Sequence, residues 1–213
     1  MPVIIETLAT WDKTENSMPL PVAHSLLGAT VCVVADRDAV VPPGRLFAAM
    51  VLANAADLDY LAGILVGEPH RFHRMASHSV TVAVVVGLAA ALLVNRGWLP
   101  AWPVRRGWPS GAAGTALVVS LLALSHVLLD SLNADYSDPV GVQAFWPFSQ
   151  RWMMAFPLFY NVEKLAGAAT PLAFLSSLLI WHNVKAALLE VALLGPLLFG
   201  AVWWRRRGDS AAR

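Results

Sequence analysis

Long apolar stretches separated by short polar breaks dominate this chain. Six can be marked, at about residues 19–35, 46–66, 79–95, 111–132, 165–182 and 185–204. A helix needs roughly 20 apolar residues to cross a bilayer, and the third, fourth and sixth stretches approach that length without difficulty. The first two carry His24, Asp57 and Asp59 near their ends, and the fifth contains Pro171. These three are expected to be short, tilted or partly buried among the others. The pattern predicts an all-α, polytopic membrane bundle of four to six membrane-embedded helices.

The breaks carry signals of their own. Between the third and fourth stretches, RGWLPAWPVRRGWP alternates Trp98, Trp102 and Trp108 with proline and arginine, as expected of a loop at the headgroup level. Residues 133–164 are too polar and proline-rich to span and too aromatic to float in water, so a lid or surface platform is expected there. The tail WWRRRGDSAAR ends the last helix with an aromatic anchor and three arginines. The whole chain, 1–213, reads as one integral membrane domain, with the polar chemistry in 18–150 and further membrane helices in 151–213.

Composition agrees with this reading. Of 213 residues, 57% are hydrophobic and 14% charged, too little polar surface to coat a soluble globule, so membrane lipid is the expected surrounding. A net charge of +1 gives no field for a nucleic-acid partner. Cys32 is the only cysteine and lies in an apolar run, which excludes an intramolecular disulfide or a cysteine-based zinc knuckle; a small buried hydrophobe is expected. The N-terminal stretch lacks a basic start and a long apolar centre, so insertion is expected to rely on the internal stretches. A bacterial-type inner membrane is the expected location.

Following the chain through the spans shows where its polar residues gather. His78 opens the third stretch, while His126 and Asp130 lie near the end of the fourth, which returns. If the first two stretches form a similar pair, His24 and Asp57 reach that same end of the bundle. His182, between the last two stretches, is expected at the opposite interface.

These residues have the types and spacing of a metal site. In LSHVLLDSLN, His126 and Asp130 stand four apart, one turn apart on one helix face. Ionisable residues inside an apolar segment are expensive to insert and mark function by default, although a His–Asp pair can also merely tie helices together. In ANAADLDYLAG, Asp57 and Asp59 are two apart, so on a regular helix only one can face the site and the other would be an outer partner or a base. In EPHRFHRMASHSV, His70, His73 and His78 alternate with Arg71 and Arg74. His70 suits an exposed juxtamembrane segment, His78 a ligand, and Arg74 could fork onto a phosphate. His24 stands alone in LPVAHSLLGA. Imidazole and carboxylate without thiolate suit zinc, with manganese as an alternative divalent ion.

The stretches PVAHSLLGA, ADLDYLAG, HRMASHS and HVLLDSLN running through GVQAFWPFS resemble, in that order, the LexA-binding, inner-membrane-associated hydrolase family, described as membrane-bound metal-dependent hydrolases. The resemblance covers about residues 18–150. It implies His24, Asp57, His78, His126 and Asp130 as metal-site residues, with Asp59, His73 and Arg74 beside them. Ala56 stands where the family usually has proline, and Met75 where it usually has glycine. A looser likeness to zinc-dependent phospholipases C, which also use an H-x-x-x-D pair, implies phosphoester chemistry by analogy.

The expected function is metal-dependent hydrolysis of an ester or phosphoester of a lipid or membrane-proximal substrate. Asp59 by preference would orient or deprotonate the water, Arg74 would hold the anionic group with His73 beside them, and Phe145, Trp146 and Phe148 would border the apolar part of the substrate. One rival is a non-catalytic membrane protein with a structural metal site that docks a soluble regulatory protein. The other is a metal or proton transporter, whose polar residues would line the full depth of the bilayer. Counting six crossings puts the arginine tail at the site end, which leans toward a cytoplasmic site.

Overall fold

A computed structural model of the chain describes residues 20–38, 40–68, 71–135, 139–160, 162 and 179–210. Pro171 and most of the fifth apolar stretch lie outside these residues, as does His70. Among the described residues the architecture is all-helical. The helices are α1 (Pro21–Ala35), α2 (Pro43–Ala53), α3 (Asp59–Leu65), α4 (Val80–Asn95), α5 (Gly111–Ser131) and α6 (Trp181–Ser210). Short 3₁₀ turns at Ala55–Leu58 and Ala76–His78 precede α3 and α4.

By length and composition α5 and the Trp181–Arg207 part of α6 can each cross a bilayer. The broken pair formed by α2 and the following Ala55–Gly63 segment, bent by 57°, would make a third. The third apolar stretch, expected as a clear span, forms only the 16-residue α4. At 1.5 Å per residue that is about 24 Å, short of the ~30 Å hydrocarbon thickness. The Ser79 hydroxyl, which accepts from the Val82 N–H at 3.1 Å, fixes where α4 begins.

α1 packs against α2, α5 and α6, and α4 packs against α5. Two glycines set the closest approaches. A Cβ on Gly28 of α1 would meet Ala53 Cβ at 2.6 Å, and one on Gly87 of α4 would meet the Ala116 carbonyl of α5 at 2.5 Å. Small residues at such crossings let backbones touch where the surrounding lipid gives no hydrophobic drive.

The polar ties define the two ends of the bundle. At one end Arg45 forks onto both oxygens of Asp36 at 2.8 and 2.7 Å and also binds Asp38. The Arg105 N–H reaches the Ala35 carbonyl there, and Arg205 of α6 donates to the carbonyls of Arg37 and Asp38. At the other end α1 begins at Pro21 with no side-chain cap of its own. Glu190 of α6 supplies one, accepting from the N–H groups of Leu20 at 2.7 Å and Ala23 at 2.9 Å. Glu190→Ala would strand two donors in a site where the carboxylate is only 1% exposed. It is expected to lower stability by about 2 kcal/mol, the range for a lost cap and buried hydrogen bonds. Thermal unfolding in detergent measures this, and an unchanged midpoint would show that the cap is dispensable.

These ties correct two sequence expectations. The His182 ring lies 6.2 Å from Tyr160, whose neighbour Phe159 bridges to Asn133 just beyond α5. The chain therefore enters and leaves residues 163–178 at the same end, so the six-crossing count fails. His182 lies at the site end, and the Arg205–Arg207 tail at the opposite one. There Trp102 and Trp108 pack against the bundle core, while Arg105 and Arg207 lie over the rings of Trp204 and Trp203 at 4.5 and 3.9 Å.

Residues 139–160 form the platform expected from their composition. It is fastened to α5 by Ala155 N–H to Ser131 carbonyl and Leu158 N–H to Leu132 carbonyl, and to the start of α4 by Val80 N–H to Ala144 carbonyl. Phe145, Phe148 and Phe156 on it are exposed.

Candidate metal centre

The helix ends bring the acids and imidazoles together because α1 and α4 leave from this end while α2 and α5 arrive at it. His126 and Asp130 share one face of α5, His78 closes the 3₁₀ turn before α4, and Asp57 lies in the 3₁₀ turn after α2. One ligand atom from each of Asp57, His78, His126 and Asp130 falls within a set no more than 4.8 Å across. His78 Nε2 is 3.0 Å from Asp130 Oδ2 and 3.5 Å from Asp57 Oδ1. His126 Nε2 is 3.4 Å from each of the same two oxygens. The two Nε2 atoms are 3.1 Å apart.

The outer hydrogen bonds decide what those nitrogens present. The Ala53 carbonyl can only accept, so the His126 Nδ1 that meets it at 2.8 Å carries the proton. The Ser77 hydroxyl donates to Asp59 Oδ2 at 2.6 Å, which leaves its lone pair for the His78 Nδ1–H at 3.0 Å. Asp59 Oδ2 also stands 3.3 Å from that Nδ1. Both rings thus turn a lone pair inward, toward each other and toward two carboxylates, an arrangement that demands positive charge between them. Burial alone would push the His78 pKa down, but the carboxylates of Asp130, Asp57 and Asp59 around the ring outweigh it and hold it well above 6.5. A divalent cation would supply the same charge.

The residues fit such an ion. Ligand atoms around tetrahedral zinc stand about 3.3 Å apart, close to the distances just given. Asp57 Oδ1 and both Asp130 oxygens are buried with no hydrogen-bond donor. His78, His126 and Asp130 are closed off, whereas the Asp57 side chain is 26% exposed, so the centre lies nearest the surface at Asp57.

The other sequence candidates fall around this core. His24 stacks on the His126 ring at 3.9 Å, and its Nε2 is 3.4 Å from Asp130 Oδ1. Its ring nitrogens have no hydrogen-bond partner. Asp59 faces away from the four-atom set, because the 3₁₀ turn and the start of α3 point the two acids to opposite edges of His78. Its Oδ1 accepts from His73 Nδ1 at 3.0 Å. His73 is stacked on Tyr60 at 4.1 Å, and its Nε2 is buried without a hydrogen-bond partner. Burial, outweighing Asp59, lowers the His73 pKa below 6.5, so near neutral pH its Nε2 bears a lone pair. Asp59, His73 and His78 form a second grouping with metal-ligand spacing.

Arg74 is buried and paired with Asp135, while its Nε and one terminal nitrogen have no hydrogen-bond partner. It takes φ 64°, one residue before Met75, and its carbonyl accepts from the Gln143 N–H of the platform. Asp135 also accepts from the Gly141 N–H at 2.6 Å. Sequence reasoning passed over Ser77, Asp135 and the Ala53 carbonyl. Ser77 adjoins a candidate ligand in ASHS, but nothing in NADYSDPV marks Asp135 as the partner of Arg74.

Residues 18–208 match the family described as YdjM inner membrane protein, a match that runs through the C-terminal helices. The chain is 33% identical over 194 residues to inner membrane protein YbcI of Escherichia coli (strain K12), across 89% of this chain and 100% of that protein. No solved structure matches.

Proposed function

The chain belongs to the YdjM inner membrane protein family, and on that footing we propose that this integral inner membrane protein is a metal-dependent hydrolase of an ester or phosphoester carried by a lipid or other membrane-proximal molecule. One observation carries the proposal. Two imidazole Nε2 atoms 3.1 Å apart and oxygens of Asp57 and Asp130 that lack a hydrogen-bond donor converge on one small volume.

Asp57, His78, His126 and Asp130 would hold the ion, zinc by donor type, with His24 supporting the second oxygen of Asp130. Such an ion would supply polarisation of a phosphoryl or carbonyl oxygen and a water acidic enough to attack near neutral pH. Asp59 holds the tautomers of His78 and His73 and is a positioning residue. His73, whose buried Nε2 has no hydrogen-bond partner, would take up the proton released in the attack and return it to the leaving group. Arg74 offers its two open nitrogens to an anionic group. The exposed platform aromatics border the apolar part of the substrate. The likeness of the quoted motifs to LexA-binding membrane hydrolases, and more loosely to phospholipases C, supports the same chemistry.

The rival reading, a structural metal centre in a protein that docks a soluble regulator, draws on the stacked His24 and His126 rings, which tie α1 to α5. Gathering of the His and Asp residues at one end disfavours a transporter.

Zinc-loaded protein in detergent, assayed on an aryl phosphodiester, an aryl ester and phospholipid micelles, tests the proposal. Turnover is expected for at least one, lost in His126→Ala as zinc binding weakens, and lost in His73→Ala with zinc binding unchanged. No turnover by zinc-replete wild type, or turnover indifferent to His126→Ala, would contradict it.

A further inference from the structure

The placement of α6 has a consequence for the side of the membrane that the centre faces. Its first turns lie at the site end, where His182 meets Tyr160 and Glu190 caps α1. Its last turns lie at the far end, where Arg205 binds the loop after α1. The described helices therefore make five legs, out from the site end with α1, α4 and α6 and back with α2 and α5.

Basic residues distribute unequally between the two ends. Among the described residues the far end holds Arg37 and Arg45 around the α1–α2 loop and Arg96, Arg105 and Arg106 around the α4–α5 loop. Arg205–Arg207 close α6 at that end. The site end holds Arg71, Arg74, Arg151 and Lys185, and of these Arg74 is buried against Asp135. Short loops rich in arginine and lysine stay on the cytoplasmic side, whereas acidic residues weigh little in that choice. The far end also carries Trp203 and Trp204 beside the three arginines, an interfacial anchor followed by a basic flank.

We infer that the His/Asp centre opens toward the periplasm and that its substrate is an ester or phosphoester reached from the periplasmic leaflet of the inner membrane. The orientation rests on the helix placement and the charges alone; the substrate clause rests on the hydrolase reading as well. A cytoplasmic regulator would then meet the arginine-rich far end and not the metal centre.

Cys32, the only cysteine, is replaced by alanine, and single cysteines are placed at exposed neutral positions, Gln150→Cys at the site end and Ala101→Cys at the far end. A membrane-impermeant maleimide applied to intact spheroplasts is expected to modify Gln150→Cys at least tenfold faster than Ala101→Cys. In inside-out vesicles the order is expected to reverse, and detergent-solubilised protein should label at both positions. The opposite order, or equal labelling of both positions in spheroplasts, overturns the inference. Labelling needs neither metal nor turnover, so this result stands apart from the zinc and hydrolysis assays that judge the hydrolase reading.

Discussion

Asp130→Asn is expected to fold and insert but to bind zinc more than a hundredfold more weakly than wild type. Its two oxygens meet all three histidines of the centre: one faces His24 at 3.4 Å, and the other faces His78 at 3.0 Å and His126 at 3.4 Å. Asparagine keeps the shape, so packing survives, but it removes the negative charge and turns an amide toward imidazole lone pairs. Asp59→Asn provides the contrast. That carboxylate acts only through His78 and His73, and outer partners of ligating histidines typically contribute roughly 10–100-fold in metal affinity. Competition against a chromophoric chelator gives both constants, and thermal unfolding of the metal-free proteins shows whether the fold is kept. Equal losses in the two variants would erase the distinction between ligand and positioning residue drawn here.

Gly87→Leu is expected to separate α4 from α5 and to spoil the centre from a distance. The obstacle is backbone, since a Cβ at this position would lie 2.5 Å from the Ala116 carbonyl, with the Ser120 hydroxyl at 2.1 Å. A hydroxyl can rotate away, but a helix carbonyl cannot, so the helices must move apart. Overpacking of this kind destabilises by about 3 kcal/mol at the upper end of the usual range. Because His78 directly precedes the Ser79 cap of α4 while His126 rides on α5, the displacement opens the 3.1 Å gap between their Nε2 atoms. Zinc affinity should fall together with the melting temperature. Gly200→Ala, at a helical position where an added Cβ meets nothing within 4 Å, should change neither.

The sequence made some of this visible and concealed the rest for identifiable reasons. His126 and Asp130 were legible because a spacing of four on an apolar helix has one geometric meaning, and the gathering at one end followed from chain direction alone. Asp57 and Asp59 were ambiguous because a spacing of two cannot serve one site on a regular helix. The 3₁₀ turn lets the two acids take opposite edges of the same imidazole. The extent of α4 matches the apolar stretch at 79–95 to within a residue, and only its reading as a clear span fails, because 16 residues rise about 24 Å. The arginine tail lies opposite to where six crossings would place it, because α6 starts at the site end and finishes at the far end. Only the tertiary proximity of Tyr160 and His182 shows that the chain returns to where it left. The Arg74–Asp135 pair links residues 61 apart, beyond the reach of any local pattern.

X-ray absorption at the zinc edge of the loaded protein decides whether Asp57, His78, His126 and Asp130 form one cation site. A single zinc per chain with a shell of nitrogen and oxygen only, including two imidazoles that disappear one at a time in His78→Ala and His126→Ala, is the result predicted. A sulfur ligand, a shell without imidazole, or a protein that retains no zinc would contradict the account.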